Sequence, residues 1–223
     1  MPASAATEED VMAKAVSHPV FARLYPRIAA FADAHGSIEH RQEMLTGVRG
    51  RVVEIGAGTG SNFRHYPAEV TQVVAVEPEP RLRALAEKAA AEAPAPVEVV
   101  AGLAEELPLG DDGFDVAVCS LVLCSIKDVP GALAEARRVL KQGGELRFYE
   151  HVRSERPGFR RAQKALALPW RLAGGGCHLT RDTEHAIQEA GFAIQDIRRF
   201  YFLINGRANP ASPSIIGTAR PST

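Results

Sequence analysis

From residue 51 onward the chain alternates between two kinds of segment. Short apolar runs occur at RVVEI (51–55), TQVVAVE (71–77), VEVVAG (97–102), FDVAVCS (114–120) and ELRFYEHV (145–152). Runs that stay apolar, as VVAV and VAVCS do, fit strands buried on both faces. Helical composition fills the gaps: PRLRALAEKAAAEA (80–93) is rich in Ala, Leu, Glu and Lys. PGALAEARRVL (130–140) has Pro130 near its start, and Gly143 and Gly144 read as its stop. Residues 153–180 predict one helix and then a glycine-rich loop. Thr180 is placed as the cap of a helix over 181–190 that Gly191 ends. FAIQDIRRFYFLI (192–204) and SIIGTAR (214–220) bring the predicted strands to seven. Strands alternating with helices predict an α/β fold, a mostly parallel sheet with helices on both faces. Ahead of it, residues 8–34 read as helix. Phe21, Leu24, Ile28 and Phe31 recur at spacings of three and four as one apolar face, and Pro26 is expected to kink or split it. The organisation expected is an N-terminal helical flap (1–50) on a main unit (51–223), together one structural domain.

Bulk properties narrow the classes. A chain of 223 residues suits one domain with a full core. The net charge of −1 gives no basic excess for a nucleic-acid partner. No stretch approaches the roughly 20 apolar residues of a membrane span. The small, acidic start MPASAATEED has neither the basic nor the apolar region of a secretory signal. Cys119, Cys124 and Cys177 are sparse and odd in number, which points to a reducing, cytoplasmic setting without a disulfide framework. None forms a CxxC pair, so spacing predicts no metal site.

The chemistry concentrates at VVEIGAGTGSN (52–62), where an apolar run ends in three glycines, Gly56, Gly58 and Gly60. A strand that turns this sharply brings its backbone close to a nucleotide. Glu77, 21 residues after Gly56, stands at the end of the second strand, where an acid binds ribose hydroxyls. The dinucleotide fingerprint is G-x-G-x-x-G, whereas this loop is G-x-G-x-G with Ser61 at the third fingerprint position. Glu54 lies inside the apolar strand just before the loop, and a buried carboxylate needs a compensating partner. The ammonium of S-adenosylmethionine is one such partner; loop amides are another.

With GLAEELPLGDDGFDVAVCS (102–120) added, the chain resembles the class I S-adenosylmethionine-dependent methyltransferases of the type 11 group. That resemblance implies a seven-stranded, Rossmann-like fold with S-adenosylmethionine as cofactor. It places Glu54, Gly56, Ala57, Gly58 and Asn62 at the methionine part and ribose, and Glu77 and Pro78 at the ribose diol. Gly102, Leu103 and Ala104 line the adenine, with Leu103 standing where many relatives carry Asp. CSLVLCSIKD (119–128), FYEHVRSE (148–155), LPWRL (168–172) and GGCHLTRDT (175–183) are similar to the animal alkyl-thiol methyltransferases and their bacterial relatives. The resemblance runs over residues 18 to 219. The animal proteins begin with a hydrophobic anchor that this chain lacks, so a soluble protein is expected.

Methyl transfer from a sulfonium requires a nucleophile held in line, and a base according to the nucleophile's pKa. His151 follows the fifth strand at the carboxyl edge of the sheet and is the first candidate for a base or acceptor contact. His178, in the glycine-rich loop, is the second. Cys124, Trp170, Arg181 and Tyr201 are candidates for the acceptor pocket, and Glu150 reads as a strand-end acid that holds an Arg or backbone. The acceptor expected is a small, lipophilic molecule, a thiol first by resemblance. O-, N- or C-methylation of a quinone precursor, lipid amine or natural product is the second reading, and a non-catalytic cofactor-binding module is the third. No oligomeric state is implied.

Overall fold

The computed structural model describes residues 19–222. Among the described residues seven strands form one sheet: β1 (Gly50–Ile55), β2 (Val70–Val76), β3 (Val97–Val100), β4 (Phe114–Ser120), β5 (Leu140–His151), β6 (Phe192–Tyr201) and β7 (Pro213–Pro221). Their order is β3-β2-β1-β4-β5-β7-β6. The pairs from β3 across to β5 are parallel, and β7 runs antiparallel to both β5 and β6. The architecture is the Rossmann-like, mostly parallel one expected.

Successive residues of β1 serve two cores. Val53 and Ile55 pack with Leu133, Ala136 and Val139 of helix α4 (Val129–Val139) and Ile187 of α6 (Thr183–Glu189). Val52 packs on the other face, with Met44 and Leu45 of α2 (Ile38–Leu45) and Ala86 of α3 (Pro80–Ala90). Burial on both faces is why these strands are apolar without alternation. Caps fix the crossover helices: Glu79 accepts from the Leu82 N–H (2.8 Å) at the start of α3, and Asp128 from the Gly131 N–H (3.0 Å) at the start of α4.

The structure corrects three expectations. Helix α4 stops at Val139, and the chain is already strand at Leu140, so Gly143 and Gly144 lie inside β5 rather than ending a helix. Asp182, not Thr180, caps α6 by accepting from the His185 N–H (3.3 Å). Helix α1 (Pro19–Ala32) runs through Pro26, and the break comes at His35 and Gly36, where Gly36 takes φ +107°. On α1, Ala22 and Ala29 are buried, whereas Leu24, Ile28 and Phe31 are each about half exposed. Phe21, Ile28 and Phe31 of the apolar stripe line a cavity. The part of the predicted helix before residue 19 lies outside the described residues.

The antiparallel end of the sheet closes tightly at Gly217 on β7. A Cβ there would sit 2.4 Å from the Asp196 carbonyl oxygen and 2.6 Å from the Phe148 ring. Because one of those neighbours is backbone, Gly217→Ala should destabilise the fold by about 1–3 kcal/mol through overpacking. Urea unfolding should show a lower midpoint with an unchanged slope. An unchanged midpoint would refute the tight approach.

Candidate functional site

The sequential order of strands reverses between β1 and β4, and ligands in such sheets bind beyond the carboxyl ends of the strands at this point. Two loops diverge there. The loop after β1 carries Gly56, Gly58 and Gly60 at φ +71°, +59° and +77°, conformations that suit glycine. Gly56 is also bound by space: a Cβ would meet Val122 Cγ2 at 2.2 Å. The Gly56 and Ala57 N–H groups donate to the Val76 carbonyl (2.9 and 3.1 Å), tying the loop to the end of β2.

Glu77, the next residue after β2, is nearly buried. Its carboxylate accepts from the Gly58 N–H (2.7 Å) and the Glu79 N–H (3.0 Å). Burial pushes its pKa up to about 7, against the pull of these two donors; Glu79's charge adds to the rise and Arg83 opposes it. Gly56, Gly58, Glu77, Pro78, Gly102, Leu103 and Ala104 line one cavity of about 300 Å³, with Phe21, Tyr25, Leu82 and Val122 completing it. Seven of the ten residues expected around a cofactor therefore share one cavity.

A second cavity of about 310 Å³ adjoins it. Phe21, Tyr25, Leu121 and Ser125 belong to both. Its walls are largely apolar: Ile28, Phe31, Tyr149, Trp170 and Phe202 contribute, together with Cys124, His151 and Cys177. His151 ends β5, and its Nδ1 lies 3.9 Å from Cys124 Sγ and 3.8 Å from Cys177 Sγ. Tyr25 on α1 stands at the boundary. A Cβ on Gly58 would lie 3.1 Å from its ring, and burial pushes its hydroxyl pKa upward.

Other expected site residues lie elsewhere. Glu54 is buried behind the glycine loop, accepting from Asn62 Nδ2 (2.9 Å) and the Tyr66 hydroxyl (2.6 Å). Its partners are these side chains rather than backbone amides of the loop. Burial pushes its pKa up to about 7 despite these bonds. Asn62 in turn accepts from Arg41 (2.9 Å), which also donates to Ser120 Oγ (3.2 Å) and Asp33 (3.3 Å). Ala57 and Asn62 line neither cavity. His178 also lines neither cavity, and its N–H donates to the Cys124 carbonyl (2.8 Å). Arg181 donates to the Leu123 and Ile126 carbonyls, so it ties down a loop. Tyr201, bonded to Ser154, opens with Arg181 onto a separate polar cleft of about 730 Å³.

Sequence reasoning missed Arg41, which carries no distinguishing motif; Glu150, expected to hold an Arg or backbone, holds backbone. Glu150 is fully buried and accepts the N–H groups of Val122 (3.0 Å), Leu123 (2.8 Å) and Cys124 (3.0 Å). Burial holds its pKa well above the usual carboxylate range, opposed by those three donors.

This geometry agrees with what the chain is similar to. A methyltransferase domain matches residues 53–148. Thiol S-methyltransferase TMT1B of Mus musculus is 37% identical over 182 residues, covering 78% of this chain and 73% of that protein. The chain belongs to the S-adenosylmethionine-dependent methyltransferases. TMT1B of Rattus norvegicus is 40% identical over 147 residues, 64% of this chain but only 59% of the rat protein. A SAM-dependent methyltransferase of Thermotoga maritima shares the fold, with TM-score 0.67 and 23% identity over 90% of this chain and 97% of its own. Among the described residues of this methyltransferase, no helix is long and apolar enough to cross a membrane.

Two tests follow. Glu150→Gln would turn an amide N–H₂ toward backbone donors, and about 1–3 kcal/mol should be lost. Thermal unfolding at an unchanged midpoint would contradict the three-donor arrangement. A Glu77 carboxyl near pKa 7 is partly protonated at neutral pH, and ribose hydroxyls donate best to the ionised form. On the ribose role expected of Glu77, S-adenosylmethionine affinity should rise as pH climbs through 7 and level off above it. Calorimetry of Glu77→Gln should show weaker, pH-flat binding; a pH dependence equal to wild type would remove Glu77 from the cofactor site.

Proposed function

We propose that this methyltransferase moves the methyl group of S-adenosylmethionine to a small, lipophilic acceptor, a thiol first. The observation that carries this reading is the pair of adjoining cavities. One is built from glycine backbone and a buried acid, and the other is apolar with sulfur and imidazole in its wall. The names of the mouse and rat relatives support the thiol. Residues of the first cavity fit the cofactor: Gly56 and Gly58 leave room for close backbone approach, Glu77 suits the ribose diol, and Gly102 to Ala104 suit the adenine. With Leu103 in place of an acid, backbone groups hold the adenine edge.

The bound sulfonium supplies an electrophilic methyl and a neutral leaving group. The chain's own work is positional. Phe21, Tyr25, Leu121 and Ser125 form the wall common to both cavities, so they set how the acceptor faces the methyl. Ile28, Phe31, Trp170 and Phe202 keep water from the nucleophile. His151 is the polar side chain of that cavity that acts on the acceptor. The same reading puts the enzyme in the reducing cytoplasm, consistent with three unpaired cysteines.

Turnover with labelled S-adenosylmethionine should carry label to an alkyl thiol in preference to a catechol or an amine. His151→Ala should lower kcat by at least about tenfold with cofactor affinity kept. Label on the catechol or amine instead would move the enzyme to the O- or N-methylating reading. Tight cofactor binding with no product from any small acceptor would favour a non-catalytic module.

A further inference from the structure

Three potential metal ligands meet in the wall of the acceptor cavity. Cys124 belongs to the turn after β4, His151 to the end of β5, and Cys177 to the loop after helix α5 (Pro157–Ala173). Their ligand atoms all lie within 4.8 Å of one another. A zinc ion with Zn–S of about 2.3 Å and Zn–N of about 2.0–2.1 Å holds N and S ligands about 3.5–3.8 Å apart. The observed N···S separations of 3.8 and 3.9 Å match that spacing to a few tenths of an ångström.

The ligands are also fixed. The Cys124 N–H is held by Glu150, and its carbonyl accepts from the His178 N–H (2.8 Å). The Cys177 N–H donates to the Gly174 carbonyl (3.1 Å). His151 is paired with Ser214 of β7.

We propose that Cys124, His151 and Cys177 form a three-ligand site for zinc, with the open fourth position facing the acceptor cavity and taking the acceptor's sulfur as thiolate. Two cysteines and a histidine suit a borderline-soft ion, and three protein ligands leave the position a catalytic zinc needs. This deepens the thiol reading above and, in its acceptor part, rests on it. An apolar cavity by itself raises a thiol's pKa and works against the nucleophile, whereas a coordinated thiol is deprotonated. On coordination the acceptor's S–H bond breaks and its proton leaves to solvent water. A thiolate lone pair then forms the new S–CH₃ bond. The methyl–sulfonium bond breaks with its electron pair kept by the departing sulfur, and the neutral thioether, a poorer ligand, leaves the metal. His151 is then a ligand rather than a base.

The test uses Co²⁺ as a spectroscopic probe on the chelator-treated 223-residue chain. Expected are one Co²⁺ per chain, near-ultraviolet thiolate-to-cobalt charge transfer, visible bands of a tetrahedral site, and displacement of both by Zn²⁺. Cys177→Ser should cut the charge-transfer band to half or less, since one of the two thiolates is lost, and His151→Ala should weaken cobalt binding at least about tenfold. Cys119→Ala, on the interior of β4, should bind as wild type. S-adenosylmethionine affinity serves as the folding control, since Cys177 and His151 do not line the cofactor cavity. Wild type that binds the cofactor but shows no charge-transfer band overturns the metal site and leaves methyl transfer standing. A band of undiminished intensity in a cofactor-binding Cys177→Ser variant also overturns it. Wild type that binds cobalt but no cofactor keeps the metal site and overturns the methyl-transfer reading. Adding an alkyl thiol to the cobalt form should shift the visible bands, and an unchanged spectrum overturns coordination of the acceptor.

Discussion

Three amide hydrogens of one turn converge on the buried carboxylate of Glu150, and both cavities depend on that convergence. The turn cannot satisfy its own N–H groups, because Val122, Leu123 and Cys124 point them back toward the sheet. An acceptor-only group with several lone pairs is the chemical answer, and β5 delivers it beside the turn. With the turn fixed, Val122 fills the space beside Gly56 in the cavity at the glycine loop, and Cys124 lines the apolar cavity beside it. A single carboxylate thus sets the wall of one cavity and the sulfur of the other.

Glu54 and Glu77 divide labour in a comparable way. Both are buried acids at the carboxyl edge of neighbouring strands, and burial raises both pKa values to about 7. Glu54 has its two oxygens engaged by Asn62 and Tyr66 behind the loop, so it braces the loop from within. Glu77 is held by loop amides and opens on the cavity. Arg41 extends the brace to Ser120 and Asp33, linking the segment after α1 to the ends of two strands.

Much of this was legible in the chain's pattern. FDVAVCS marks β4 to the residue, because a run buried on both faces and bounded by polar turns has one reading. The glycine loop and Glu77 were legible because their backbone demands are local. What sequence could not show is what distant segments do to one another. Cys124 and Cys177 carry no metal-binding spacing, and only the β4–β5 pairing and the return of the chain after α5 bring them to His151. Leu24, Ile28 and Phe31 have the periodicity of a core stripe, yet each is about half exposed, and Ile28 and Phe31 line a cavity. Periodicity reports that a helix has an apolar side; the segments packed around it decide whether that side meets core or cavity. Arg41 lies on a helix of low apolar content, and its burial follows from partners on three other segments.

Helix α1 contributes Phe21 and Tyr25 to both cavities, so the cofactor and acceptor proposed for them would share one roof beam. Any displacement of that helix by the first ligand reshapes the wall met by the second. By linkage, the effect of each on the other's affinity is equal in size. Under the proposed function, acceptor preference would then be a property of the cofactor-loaded protein, with α1 as the wall the two chambers share.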